Sequence, residues 1–149
     1  MKKSVIGSLI LGSSLCLLVG LAATDRAATG LGNFHFGEDG HGIALFDFNI
    51  VDGAEVTGSL LFAAEDHHSY PDIIIRVPKI TDASFDGSQV RFTAKGAFHD
   101  DPVDVVGKAI DRGDSLRPDW FFIKATSNGE VVFEAEGDVH KGNIVISQE

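Results

Sequence analysis

A strict two-residue alternation constrains this chain more than any other feature. Ala44, Phe46, Phe48 and Ile50 share one parity, and Asp47 and Asn49 share the other. Successive side chains of a strand point to opposite faces, so this pattern makes a ribbon with one apolar and one polar side. The same period returns at Val56, Gly58, Leu60 and Phe62, and again at Val90, Phe92, Ala94 and Phe98. Phe34 and Phe36 flank His35; Trp120 and Phe122 oppose Phe121 and Ile123; Val131 and Phe133 alternate with Val132 and Glu134. Ile73, Ile75 and Val77 alternate with Ile74 and Arg76, and Pro78 predicts the end or an edge of that strand. No helical period runs for a useful length. Val103–Ala109 alone admits a short helix as the alternative to a strand.

Turn signals separate these segments at short intervals. Gly40-His41-Gly42, Asp52-Gly53 and Asp86-Gly87 each read as turns, and Asn128-Gly129 is the strongest hairpin signal in the chain. Longer polar connections are expected at Ala64–Pro71, His99–Pro102 and Asp111–Pro118. Gly137-Asp138 reads as a break before a last short strand carrying Ile144 and Ile146. Short connections favour pairing of sequence neighbours. The predicted fold is therefore all-β: an antiparallel meander of about 8–10 strands, closed or nearly closed into a β-barrel, with a β-sandwich as the alternative. Gly58, Gly96 and Gly107, inside strand patterns, mark bulges or coiling where a sheet curls.

The N-terminus follows different rules. Lys2 and Lys3 precede an apolar run from Val5, and small residues follow at Gly20, Ala22 and Ala23. This order predicts a secretory signal peptide over residues 1–23 and a secreted or periplasmic product. The run is interrupted by Gly7, Ser8, Gly12, Ser13 and Ser14, which disfavours a retained membrane span. Leu15 before Cys16 disfavours a lipid anchor. Residues 24–32 read as a flexible lead-in, and 33–149 as a single β-domain.

Cys16 is the sole cysteine, so the expected mature chain has no thiol and no disulfide. Its stability must come from packing. The whole chain has 12 Lys+Arg against 22 Asp+Glu, a net charge of −10; without Lys2 and Lys3 the balance is 10 against 22, or −12. A field of that sign repels phosphate backbones and anionic membrane surfaces, so neither nucleic acid nor membrane is an expected partner after cleavage.

Several segments together resemble a secreted bacterial β-domain of unassigned function sometimes labelled post-COAP-1. They are Gly30-Leu31-Gly32-Asn33-Phe34, Ala44-Leu45-Phe46-Asp47-Phe48, Gly58-Ser59-Leu60-Leu61-Phe62, Asp111-Arg112-Gly113, Asp119-Trp120-Phe121-Phe122-Ile123 and the closing Gly137–Ile144. The loop Asp111–Pro118 departs from that family's Asp-Gly-x-Pro-Gly form. The resemblance implies a β-fold and export, and it adds no catalytic residue.

Candidate chemistry is sparse. Glu65-Asp66-His67-His68 combines imidazoles with carboxylates, a donor set suited to zinc, copper or nickel. Adjacent residues of an extended segment point apart, so such a site would need His41, or His99 with Asp100 and Asp101, from other loops. Calcium would draw on Glu38-Asp39-Gly40, Asp100-Asp101 or Asp111–Asp114, none with the spacing of a calcium loop. No Gly-x-Ser-x-Gly elbow and no phosphate-cradling glycine loop occurs. No catalytic, cofactor-binding or metal residue is therefore assigned. The leading expectation is a non-enzymatic structural or binding module acting on a small molecule or protein. The alternatives are a barrel holding an apolar ligand, and a metal-dependent enzyme using the His67/His68 loop. A lumen filled by phenylalanines favours the first; a cavity of several hundred cubic ångströms would favour the second.

Overall fold

Eight antiparallel strands close into one barrel in simple sequence order. The computed structural model describes residues 25–66, 69–113 and 115–147. The expected signal peptide with Cys16, and the His67/His68 pair, lie outside the described residues. The strands are β1 (Arg26–Phe36), β2 (Gly42–Asp52), β3 (Val56–Asp66), β4 (Ser69–Asp86), β5 (Gln89–Phe98), β6 (Asp101–Ile110), β7 (Trp120–Ser127) and β8 (Glu130–Ser147). β1 pairs with β2 on one side and with β8 on the other, which closes the ring. The meander barrel is thus the fold, and the sandwich alternative is not.

The lumen is packed with aromatic rings. Phe34, Phe46, Phe48, Phe62, Phe92 and Phe121 are all at most 2% exposed. Phe121 stacks on Phe46 with centroids 4.4 Å apart and 5° between ring planes, and Phe34, Phe48 and Phe62 surround the pair at 5.7–6.4 Å from Phe121. Each such side chain contributes about 1.5–3 kcal/mol when fully buried. The wall outside is charged over much of its circumference, with Arg91, Lys95, Asp104, Glu134 and Glu136 facing outward. An apolar inside and a charged outside is the reverse of a membrane-spanning barrel.

Three expectations are corrected by this architecture. Residues 24–32 are not a flexible lead-in: β1 begins at Arg26, and its inward positions are Ala28, Gly30, Gly32 and Phe34. The small residues make room for rings on β2. Gly30 lies opposite Phe48, and a Cβ there would sit 2.3 Å from the Phe48 ring. Pro78 ends no strand; it falls where the β4–β5 register shifts between Arg76 and Lys79, so the missing N–H removes no ladder bond. Val103–Ala109, by contrast, is the strand its alternation predicts, paired with β5 throughout and with β7 from Asp104 onward, and the helix alternative is not. Gly137-Asp138 breaks nothing: the first half of β8 pairs with β7, and from Val139 onward it pairs with β1.

Two hairpins show how the same turn is made with different residues. Asn128 (φ 51°) and Gly129 (φ 83°) give the two positive φ values of a type I′ turn. His99 (φ 48°) and Asp100 (φ 73°) do the same between β5 and β6 with no glycine. A left-handed conformation costs an ordinary L-residue roughly 1–2 kcal/mol. Asp100→Gly relieves one such position at an unfolded-state entropy cost of about 0.4–1 kcal/mol. The substitution is expected to raise the thermal midpoint by roughly 2–5 °C, read by circular dichroism; a lower midpoint would show that the turn carries no strain.

Candidate functional site

Because the lumen is filled, concave space lies on the outer wall. Three open grooves, of about 690, 530 and 490 Å3, adjoin one another across β8 and β1–β5 and are all lined in part by Asp47. The alternation of β2 turns Asp47 outward, between Phe46 and Phe48, which point into the lumen. Its cross-strand neighbours are Leu31 on β1 and Leu61 on β3. On the far side of Leu61 lies Arg76 of β4. The transverse row is therefore Leu31, Asp47, Leu61, Arg76, with Leu45, Ala63 and Ile74 in the next row.

This wall carries three exposed leucines side by side. Leu31, Leu45 and Leu61 are 66%, 55% and 48% exposed, and Val145 of β8 extends the patch. Contiguous exposed apolar residues on a soluble surface mark contact sites more often than isolated ones do. Among the described residues, neither the Asp47 carboxylate nor the Arg76 guanidinium has a hydrogen-bond or ion-pair partner. Two unpaired opposite charges framing a leucine are well placed to meet charges on another molecule.

The most elaborate polar construction in the barrel serves the fold. The β6–β7 connection folds against the second half of β8, which has left β7 and would otherwise expose backbone N–H groups. Asp119 accepts from the backbone N–H of Arg112 (2.8 Å) through Oδ1 and of Ile144 (2.9 Å) through Oδ2. Asp111 accepts from Gly113 N–H (2.8 Å) and Ile146 N–H (2.9 Å) in the same divided way. The carbonyl of Asp119 accepts from Val139 N–H at 2.7 Å. The loop is thus a clasp over an unpaired strand edge. Both Asp111 oxygens are engaged by backbone donors, which explains the acidic residue without a cation. Asp119→Ala removes two hydrogen bonds to a charged acceptor, each worth about 1.5–3 kcal/mol. Its unfolding free energy is expected to fall by about that amount or more in urea titrations, with faster hydrogen exchange at Ile144. Unchanged exchange there would refute the clasp.

The four described histidines lie on strands and turns. His35 and His140 meet edge to face on the outside, centroids 5.5 Å apart, and His35 Nδ1 lies 3.2 Å from Gly40 O. His41 Nδ1 lies 3.2 Å from Asp39, whose carboxylate also accepts from the His41 backbone N–H. His99 packs its ring on Phe98. Among the described residues no three His, Cys, Asp or Glu side chains converge as metal ligands would. Of the aromatics, Trp120 and Phe122 stack on each other on the outer wall, with centroids 6.2 Å apart, while Phe121 between them is fully buried. Sequence reasoning singled out the histidine loops and missed the Asp47 wall. The available signal was Leu31, Leu45 and Leu61 at positions that the alternation assigns to the polar face. Compared with family models, curated proteins and solved structures, the chain returns no match.

Proposed function

We propose that this chain is an exported, non-enzymatic β-barrel module that works through its outer wall. The observation that carries the reading is the lumen. Six phenylalanine rings occupy the space in which a ligand-binding barrel would hold its ligand. The apolar β1–β4 wall, with Asp47 and Arg76 unpaired, is the surface left to do the binding. Export is supported by the positive, apolar, small order of residues 1–23, by the thiol-free remainder, and by the likeness to a secreted bacterial β-domain.

Two measurements test it. The protein recovered from the periplasm or medium of an expressing bacterium is expected to begin shortly after Ala22 or Ala23, or after Ala27, by N-terminal sequencing. Product retained in the cytoplasm with Met1 intact would defeat the export reading. Titration with a fatty acid and with an apolar fluorophore is expected to give no saturable one-to-one binding. A micromolar stoichiometric complex would defeat the filled-lumen reading.

A further inference from the structure

We propose that the apolar wall pairs with a second copy of the same chain, about a two-fold axis running along β3 through Leu61. The proposal rests on the reading that the outer wall is the functional surface.

The argument is one of self-complementarity. A two-fold interface brings the same patch against itself, so residue i meets j and j meets i. Asp47 and Arg76 lie on opposite sides of Leu61, one strand away in each direction. An axis along β3 places Leu61 on the partner's Leu61. It also places Asp47 against the partner's Arg76, and Arg76 against the partner's Asp47. In the next row Leu45 meets the partner's Ile74, and Ala63 meets its own counterpart. In these two rows Leu61, Leu45, Ile74 and Ala63 each face an apolar side chain, and each unpaired charge faces its opposite. An axis across the strands would instead set Asp47 on Asp47 and Arg76 on Arg76, which is unfavourable.

Net charge sets the conditions under which two copies can meet. The chain as a whole is strongly acidic, which opposes association at long range. An ionic strength near 0.15 M confines that repulsion to about 8 Å, leaving contacting pairs in force. Association is therefore expected to be reversible and weaker at low salt.

The test is sedimentation velocity on the processed chain over a concentration series at physiological salt. The wild-type protein is expected to shift from monomer to dimer. Asp47→Arg and Arg76→Asp each place like charges across the axis twice, and each is expected to weaken association by at least about tenfold. Mixing the two variants in equal amounts is expected to restore dimer, because each supplies what the other lacks; the double variant restores it alone. Both positions are on the outer wall, so thermal unfolding serves as the check that each variant is folded. A wild-type chain that remains monomeric throughout overturns the proposal, as does a dimer that neither reversal weakens. Either result would be separate from failure of the functional reading, which turns on ligand binding in the lumen and on export.

Discussion

Phe121→Ala is expected to lower the unfolding free energy by about 3–5 kcal/mol, the usual cost of removing a fully buried ring. Phe121 has no solvent exposure and sits among four rings of the lumen: Phe34, Phe46, Phe48 and Phe62. A barrel wall is held by its hydrogen-bond ladder and cannot collapse freely into a void, so the loss should sit toward the upper end of that range. Domains of this kind have roughly 5–15 kcal/mol in total, so the variant should still fold at low temperature. Urea denaturation measures the loss. The same variant tests whether the lumen is filled, since an apolar cavity left by a large side chain can take up a small aromatic molecule. Benzene or indole is expected to raise the midpoint of Phe121→Ala and leave the wild type unmoved. Equal stabilisation of both proteins would mean that the native barrel already has internal space.

Gly142→Ala is expected to cost a comparable amount, about 2–6 kcal/mol, although it adds only one methyl group. Gly142 has φ +108°, and a Cβ there would lie 2.1 Å from the Leu31 carbonyl oxygen and 2.4 Å from the Gly32 Cα. Those atoms are backbone of β1, so no side chain can swing away. Backbone strain costs about 1–3 kcal/mol and overpacking about 1–3 kcal/mol more. The site is the β1–β8 seam, where Gly142 pairs with Gly32 and the ring of strands closes. Hydrogen exchange should accelerate at β1 and β8 amides before the rest of the barrel. Gly113→Ala is the control, with φ +58° and open space around its Cβ position; it should lose only the strain, roughly 1–2 kcal/mol. Equal losses at the two positions would refute the close approach at the seam.

Much of the architecture was legible in the residues because a meander keeps its information local. Phe46, Phe48 and Ile50 alternate with Asp47 and Asn49 within one strand, and Asn128-Gly129 specifies its hairpin within two residues. Such signals need no knowledge of distant parts of the chain. β1 is hard to read for the opposite reason. Gly30 and Gly32 look like flexibility until Phe48 and Phe46 stand across from them. Pro78 and Gly137 look like breaks until β4 and β8 are seen to serve two neighbours each along their lengths.

The candidate site was less legible still. Asp111 and Asp119 read as a loop that could attract a cation, yet their oxygens meet the N–H groups of Ile146 and Ile144, far along the chain. Asp47 and Arg76 are unremarkable in sequence and become a pair only when the register sets Leu61 between them. By itself, then, the sequence determined an acidic, antiparallel meander with phenylalanines on one face, since periodicity, turn chemistry and charge are properties of neighbouring residues. Only the tertiary structure decided that the lumen is full, that a loop clasps the free edge of β8, and that the apolar wall carries opposite charges about β3. The first two depend on which distant strands are brought together when the barrel closes, and the third on the register between β2, β3 and β4.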